Sequence, residues 1–352
     1  FIFIEMAQHS TLQPLLGMTL EELSALVEEL SMPRFTAKQI AQWLYEKRVT
    51  TIDEMTNLSK VNRDKLKKSY EVGRKSPVDV ARSVDGTAKY LFDVCGGQMI
   101  ESVYIPDNGR GGERATLCVS SQAGCKMNCQ FCMTGRQGYH GDLTTNEIIN
   151  QIFSIPESES LTNIVFMGMG EPMDNYESVL KATKILTEKW GLAWSPKRIT
   201  VSTIGKMAEL RRMIEESDVH IAISVHSPYH TERQNLMPIE KAYPIKKVME
   251  MLSNYDFTHQ RRLSVEYIMW HNHNDDLQHA KALAELIKDS HARVNLIRFH
   301  AIPGSHLQTS DEQSMIEFRD YLNSQGILCT IRKSRGEDIF AACGMLAGKD
   351  LK

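Results

Sequence analysis

The sequence predicts an α/β protein: a partial (β/α)6 barrel of TIM-like type, preceded by a small helical domain, with a short antiparallel β segment between them. Three observations carry this expectation. From residue 115 onward, short apolar runs alternate with helical patterns, and repeated βα units of this length give a parallel sheet with helices outside. Before residue 75 the apolar spacing is helical. Between Pro77 and Pro106 the period changes to two. An open doubly wound sheet satisfies the same alternation, so the barrel is one of two architectures to be tested. The expected boundaries are 1–76 for the helical accessory domain, 77–110 for the β-meander linker and 111–352 for the core.

With 352 residues the chain is long enough to bury a sizeable core. It is 42% apolar and 24% charged, with a formal net charge of −3, an ordinary balance that excludes neither nucleic-acid nor small-molecule partners. No run is long enough for a transmembrane helix. The opening Phe1-Ile-Phe-Ile-Glu-Met6 is too short for a signal segment and lacks a cationic start. Because the chain does not begin with Met, its first few residues are expected to be either upstream or artificially added sequence. A cytoplasmic protein is expected, with no membrane partner.

Taken in order, Thr19-Leu-Glu-Glu22 is a capping box opening a helix over 20–30, and Thr36-Ala-Lys-Gln39 opens a second through 47. A third and a fourth helix are expected over 52–58 and 61–70. Between Arg34 and Lys75 there are 11 Lys and Arg against 5 Asp and Glu. That excess suits contact with phosphates, and equally the solvated face of a small bundle. In the next segment Asp85-Gly86 and Gly96-Gly97 fall where hairpin turns belong. Asp107-Asn-Gly-Arg-Gly-Gly112 reads as a flexible connector.

Strand-like runs then occur at 115–121, 163–169, 198–203, 220–226, 263–270 and 293–299. Helical patterns lie at 145–153, 176–189, 206–216, 245–255 and 277–289, and segments 318–323 and 327–332 close the series. In a barrel the active site is built on the loops after the strands, and the unusual residues stand there. The cysteine loop follows the first strand and Gly168-Met-Gly-Glu171-Pro172 the second. Ser202-Thr203-Ile-Gly205 follows the third, Ser224-Val225-His226-Ser227-Pro228 the fourth, and His300 the sixth.

The strongest motif is Cys125-Lys-Met-Asn-Cys129-Gln-Phe-Cys132, a C-x3-C-x2-C spacing on one loop. Iron–sulfur clusters are held by thiolates, usually four; three leave one iron open to a ligand that is not protein. The rival is zinc with His140 as fourth ligand, but structural zinc sites pair a C-x2-4-C with a second, distant pair, and none is present. Seven cysteines in all, at 95, 118, 125, 129, 132, 329 and 343, argue for metal or catalytic use rather than a disulfide framework. Gly168 and Gly170 let a ligand approach the backbone, and Glu171 beyond them can receive an ammonium group; the plain alternative is a strand-to-helix turn. Ser202, Ser224 and His226 offer hydroxyls and an imidazole, or helix caps. Cys118 and Cys343 read either as functional thiols or as packing, and Cys95 and Cys329 as packing.

With these motifs in view the chain resembles radical S-adenosylmethionine enzymes, and more narrowly the RlmN/Cfr family of RNA methyltransferases. The resemblance rests on 115–125 through the cysteine loop, Phe166-Met-Gly-Met-Gly-Glu-Pro172, Leu236-Met-Pro-Ile239, Val294-Asn-Leu-Ile297 and Arg335-Gly-Glu-Asp-Ile-Phe-Ala-Ala-Cys343-Gly344. It implies the radical S-adenosylmethionine fold, with the helical region as the accessory, RNA-contacting domain. It also implies a 4Fe–4S cluster on Cys125, Cys129 and Cys132, two S-adenosylmethionine molecules per turnover, and methylation of adenine C2 in large-subunit ribosomal RNA and some transfer RNAs.

In such enzymes a methyl group is first placed on a cysteine, here Cys343. A 5′-deoxyadenosyl radical then activates that methyl for addition to C2. Glu101, in Glu101-Ser-Val-Tyr-Ile-Pro106, is implied as the base for the C2 proton, and Cys118 as the thiol that releases the product by a disulfide with Cys343. S-adenosylmethionine is implied at Gly170, Glu171, Ser202, Ser224, Val225 and His226. His300 is carried over too, although the family commonly has Asn-Pro where this chain has His300-Ala301. A flavodoxin-like or ferredoxin-like electron donor and a monomeric state are further expectations. Two alternatives stand beside this reading: the family's C8-methylating branch, which His226-Ser-Pro-Tyr229 resembles, and a non-catalytic zinc and RNA-binding protein.

Overall fold

The computed structural model describes residues 12–106, 114–259 and 261–348. The connector expected at 107–112 and the opening six residues lie outside the described part. Ten strands form one mixed sheet: β1 (Asp79–Arg82), β2 (Ala88–Val94), β3 (Gln98–Pro106), β4 (Ala115–Cys118), β5 (Asn163–Phe166), β6 (Ile199–Thr203), β7 (His220–Ser224), β8 (Leu263–Met269), β9 (Arg293–Arg298) and β10 (Cys329–Ile331). Their spatial order is the chain order, β1 to β10. β1 to β4 are mutually antiparallel, and β4 to β10 are parallel throughout. The meander expected between the two domains is therefore hydrogen-bonded to the first parallel strand, Val103 opposite Cys118.

Cys118, Phe166, Ser202, Ser224, Glu266 and Ile297, from β4 through β9, line a single cavity. A flat sheet cannot bring its first and sixth parallel strands to one space, so this sheet curls into the expected partial barrel.

Between the strands run α4 (Thr145–Phe153), α5 (Tyr176–Thr187), α6 (Met207–Glu216), α7 (Ile245–Leu252), α8 (Leu277–Ile287) and α9 (Glu312–Ser324); α1 to α3, earlier in the chain, are Leu20–Glu29, Thr36–Ala41 and Lys60–Lys67. α4 shows why these segments are helical. Thr144 and Glu147 close a capping box, and Ile148, Ile149, Ile152 and Phe153 are buried at helical spacing. α9 begins six residues before the apolar run that marked it, because Asp311 caps Ser314 N–H at 2.9 Å.

The helical region departs from expectation in three places. Thr36 is not a cap: it is the first helical residue and buried, with Phe35 before it making no side-chain bond. The helix expected over 52–58 is only a turn, Ile52–Glu54, because the Glu54 carboxylate folds back onto the N–H groups of Thr50 (2.9 Å) and Thr51 (2.7 Å). α3 ends at Lys67, since Tyr70–Glu71 pairs with Gln13–Pro14 as a short parallel ribbon.

The helical region docks on the barrel through a buried tyrosine. Tyr45 accepts from Gly17 N–H at 3.2 Å and packs edge-on against Phe153 and Trp190, with centroids at 6.3 and 5.9 Å. Asn146 adds bonds from α4 to the carbonyls of Leu16 and Gly73, both 3.0 Å. The apolar residues of this region and of the barrel form one continuous core.

Candidate active site

The cavity at the strand ends has a volume of about 200 Å³. Its first wall is the cysteine loop. Gln122–Gly124 and Tyr139–Asp142 pair as a hairpin with an irregularity at Ala123 and Gly124. At the end of that hairpin the Cys125 N–H donates to the Gly138 carbonyl at 2.8 Å. Asn128 turns the chain with a φ of 50°, and Cys132 leads into a short helix, Met133–Arg136. All three thiols face the cavity.

Burial pushes the Cys125 thiol up to about 12, and Cys129 rises well above its usual value, with burial first among the causes and the neighbouring thiols adding to it. Two such groups become thiolates together only when a cation compensates them, the behaviour of a metal-cluster donor set. A single zinc ion would draw its sulfurs to roughly 3.8 Å of one another, given Zn–S bonds of about 2.3 Å. Among the described residues, only His271, Asp275 and Asp311 bring three such ligand atoms within 4.8 Å of one another. The three thiols share the cavity, whereas His140 is exposed on its strand and outside the cavity lining, so no fourth protein ligand for zinc stands beside them among the described residues. The donor set fits a 4Fe–4S cluster and not the zinc alternative.

The second wall is the turn after β5. Gly170 has a φ of +98°, and a Cβ there would stand 2.5 Å from the Gln122 side chain, so glycine is required for the turn to close on the cysteine hairpin. Gln122 in turn accepts the Glu171 N–H at 2.8 Å. Glu171 is buried, and each of its oxygens takes a backbone N–H at 3.0 Å, from Met173 and from Ile204. Burial pushes it up to about 7 against these bonds. The expected receiver of an ammonium group thus already braces the loops after β5 and β6.

Ser202, Ser224 and His226 also line the cavity. His226 has a φ of 60°; its Nδ1 accepts the Ile268 N–H at 3.1 Å and its ring packs on Phe131 at 4.9 Å. Burial holds the imidazole neutral down to about pH 3, so the proton sits on Nε2, a donor.

Three expected site residues lie outside the cavity lining: Val225, His300 and Glu101. Val225 is fully buried outside the cavity lining, with its N–H on the Glu266 carbonyl and its carbonyl on Arg233. His300 turns to the C-terminal segment, where its ring bonds Ser334 at 3.0 Å and Glu337 at 3.2 Å. An imidazole is long enough to reach those partners, and they draw it out of the lining.

The third wall comes from the far end of the chain. Residues 341–346 fold over the cavity, the Gly344 carbonyl accepting Met133 N–H at 2.8 Å and the Leu346 carbonyl accepting Thr134 Oγ1 at 2.7 Å. Cys343 is exposed, and the space it faces is the cavity itself. Burial raises its thiol, and Arg332 pulls it back. Cys118 lines the same cavity; burial pushes it up to about 12, and Cys343 lies near enough to add to the rise. Glu101 stands behind this wall. Its Oε1 pairs with Lys89 at 2.9 Å, and its Oε2 accepts the N–H groups of Ala347 and Gly348 at 2.7 and 3.2 Å.

Sequence reasoning missed the brace of the site. Arg233 is fully buried and donates to the carbonyls of Ile204 (3.2 Å), Ser224 (2.9 Å) and Val225 (3.0 Å), and to Glu240. It pins the ends of β6 and β7 to each other. Its signal was faint, since Arg233 stands within the polar run 230–235 and Glu240 beside Lys241, on either side of the motif at 236–239. Glu266, a lone carboxylate inside the apolar run of β8, was passed over as well.

A barrel whose first loop aims three thiols into a cavity at the strand ends is the architecture of a radical S-adenosylmethionine enzyme, and the Radical SAM superfamily model matches residues 119–286. The model described as the ribosomal RNA large subunit methyltransferase N-terminal domain matches residues 13–72. A probable dual-specificity RNA methyltransferase RlmN of Bacteroides thetaiotaomicron is 61% identical over 95% of this chain and 96% of its own length. The dual-specificity RNA methyltransferase RlmN of Nitratiruptor sp. is 40% identical over 95% of this chain and 98% of its own. The crystal structure of a radical SAM methyltransferase from Sphaerobacter thermophilus superposes with a TM-score of 0.88 at 35% identity, covering 96% of this chain and all of that one. The chain belongs to the RlmN family of radical S-adenosylmethionine RNA methyltransferases. Its cofactors are those of that class, a 4Fe–4S cluster and S-adenosylmethionine.

Proposed function

We propose that this enzyme methylates C2 of an adenine in large-subunit ribosomal RNA, and of the adenine 3′ of the anticodon in some transfer RNAs, through a methylated Cys343. The observation that carries the reading is the meeting of Cys118 and Cys343, 225 residues apart, in the cavity that also holds the three cluster cysteines. C2 of adenine is an electron-poor aromatic carbon, so a methyl group reaches it as a radical more readily than by displacement. The cluster and S-adenosylmethionine, when bound, supply the electron and the radical that this chemistry needs. Cys125, Cys129 and Cys132 hold the cluster, and Gly170, Ser202, Ser224 and His226 line the space beside it.

Cys343 accepts the methyl group and presents it to the base. Glu101 takes the C2 proton, and doing so weakens its hold on Lys89 and on the backbone at 347–348. Cys118 then closes a disulfide on the Cys343 sulfur and frees the product. The helical domain, 1–76, meets the RNA through its basic face, and the adenine is unstacked to enter. A flavodoxin-like or ferredoxin-like protein delivers the electron to a monomeric, cytoplasmic enzyme. Among the described residues no helix is long and apolar enough to cross a membrane. The relatives' names support C2 methylation and lend nothing to the C8 alternative.

The test is mass spectrometry of the anaerobic, cluster-loaded protein after incubation with S-adenosylmethionine. One added methyl on Cys343 is expected, and methylated adenosine from treated RNA is expected to co-migrate with the 2-methyl standard. An unmodified Cys343 would remove the central step.

A further inference from the structure

β1 and β10 are the two edges of the sheet and are not paired with each other, so the partial barrel has an open seam between them. The chain leaving β10 crosses that seam before it reaches Cys343. Ser334 bonds the His300 ring at 3.0 Å, in the loop after β9. Two residues on, the Gly336 N–H donates to Asp85 Oδ2 at 3.1 Å, in the turn between β1 and β2. Asp338 then accepts Ser83 Oγ at 2.5 Å and the Val84 N–H at 3.2 Å. Lys89 Nζ, on β2, donates to the Phe340 carbonyl at 3.4 Å. Residues 334–340 are thus a strap, tied at one end to the loop after β9 and at the other to the β1–β2 hairpin.

Two apolar side chains of this closure face solvent. Phe340 is 45% exposed, and Val84, at the tip of the hairpin, is 97% exposed. Phe340 is also left-handed, with φ 53° and ψ 43°. That conformation is costly for any residue with a Cβ, and a ring left in water recovers little of the cost by burial. The backbone holds it there: the Phe340 N–H bonds the Glu337 carbonyl at 3.1 Å, and the Ala341 N–H bonds the Gly336 carbonyl at 2.8 Å. Strain that the surroundings enforce, on a residue whose side chain is turned outward, is the arrangement of a ligand clamp.

The place of the ring says what it meets. The cavity lining starts with the next residue, Ala341, and Cys343 is three residues on. Three residues span at most about 11 Å, so an adenine held at Cys343 has its strand neighbours within reach of Phe340. The start of the strap is cationic. Arg332 and Lys333 are exposed, neither is paired with a carboxylate among the described residues, and Arg332 lies close enough to act on the Cys343 thiol. An aromatic face beside unpaired cations suits a single strand of nucleic acid, whose bases stack and whose phosphates attract charge. A protein partner would need a wider apolar face than two side chains make.

We propose that Phe340 is a base-stacking residue for the RNA substrate. Its ring takes the face of a nucleotide next to the target adenine, with Val84 flanking it, and replaces the stacking partner lost when the adenine is drawn into the cavity. The assignment rests on the reading of Cys343 as the methyl carrier for RNA.

The test measures binding of fluorescein-labelled RNA hairpins by anisotropy, with cluster-loaded wild type, Phe340→Gly and Phe340→Leu. The hairpins copy the ribosomal and transfer-RNA sequences around the target adenine, intact or with the nucleotide on either side replaced by an abasic sugar. Melting temperature and methylation of Cys343, read by mass spectrometry, serve as controls for the fold and the cluster. Glycine is at ease at a φ of 53°, so Phe340→Gly is expected to keep its melting temperature. Stacking of a base on a ring amounts to about tenfold in affinity. Wild type is expected to lose about that factor with one of the abasic hairpins. Both variants are expected to bind the intact hairpin about tenfold more weakly and to lose little more with the abasic one. Equal wild-type affinity for intact and abasic hairpins overturns the proposal, and needs no variant to do so. A Phe340→Gly protein that binds the intact hairpin within twofold of wild type overturns it as well, and is the outcome expected if the ring meets an electron donor or a second copy of the chain. In both cases methylation of an intact hairpin by wild type leaves the proposed function standing, whereas a wild type that methylates neither sequence removes both.

Discussion

Glu101 and Ala347 are 246 residues apart, yet the Ala347 N–H donates to Glu101 Oε2 at 2.7 Å inside the protein. This bond, with the one from Gly348, fastens the segment that carries Cys343 to the third strand of the sheet. Lys89 neutralises the carboxylate from the other side at 2.9 Å.

Glu101→Gln leaves the largely covered Lys89 ammonium without its counter-charge, and breaking a buried pair of this kind costs about 3–5 kcal/mol. The variant is expected to be less stable in urea by an amount of that order and to be cleaved faster after the barrel by a mild protease. Combining it with Lys89→Met restores most of the stability. If Glu101 is the base, the double variant stays inactive on RNA although it folds. Recovery of methylation in the double variant would assign Glu101 to holding the segment alone.

Arg233 makes a second prediction. Its guanidinium spans three carbonyls at the ends of β6 and β7 and pairs with the buried Glu240. Arg233→Lys keeps the charge but loses the fork that reaches several acceptors at once. The expected outcome is a folded protein with S-adenosylmethionine affinity lowered about tenfold, measured by calorimetry. Arg233→Met strands Glu240 and is expected to cost about 3–5 kcal/mol of stability, partly recovered in Arg233→Met with Glu240→Gln. Unchanged affinity in Arg233→Lys would show that the strand ends hold their positions without it.

The contrast between Cys125 and Glu266 shows how far the sequence could be read. The cysteine spacing is local, so the loop, the order of the strands and the position of the site after each strand were legible without coordinates. α4 was equally plain, since its capping box and apolar spacing both lie within the helix itself. What long-range pairing decides was not legible. The end of α3 is set by a ribbon with residues 13–14, and His300 is drawn aside by Ser334 and Glu337. Arg233 and Glu266 were invisible for a related reason. A charged residue gains meaning only when its partners are known, on the neighbouring strand for Glu266 and at the ends of β6 and β7 for Arg233.

Glu171 predicts a pH dependence. Burial pushes its carboxyl up to about 7 from an ordinary 4.5. Between those values the folded chain keeps a proton that the unfolded chain has released. Stability therefore falls as pH rises through about 4.5 to 7, by roughly 3 kcal/mol, with nothing further lost above. His226 acts oppositely: held neutral in the fold to about pH 3, it costs stability as pH falls below 6.5. Comparing urea unfolding of cluster-free wild type and Glu171→Gln at pH 5 and pH 8 cancels His226. Wild type is expected to lose more stability than the variant between the two; parallel curves would mean that Glu171 ionises normally.

Gly124 offers the most local test of the cluster site. Its φ is +71°, and a Cβ built there would fall 1.9 Å from the Gly138 carbonyl oxygen. That same oxygen accepts the Cys125 N–H at 2.8 Å, so the contact that a side chain would destroy is the one that sets the first ligand. Gly138 provides a matched control: its φ is +79°, but a Cβ there meets nothing within 4 Å. Both Gly→Ala changes carry the strain of a left-handed backbone, of the order of 1 kcal/mol. Only Gly124→Ala must also push the hairpin apart. Most of the barrel core lies outside this hairpin, so the variant is expected to fold with a melting temperature close to that of Gly138→Ala. Iron and acid-labile sulfide after anaerobic reconstitution are expected to drop severalfold in Gly124→Ala and to stay near wild type in Gly138→Ala. Equal iron content in the two variants would show that the Cys125 loop tolerates the displacement, and that the cluster is held by the remaining thiols with room to adjust.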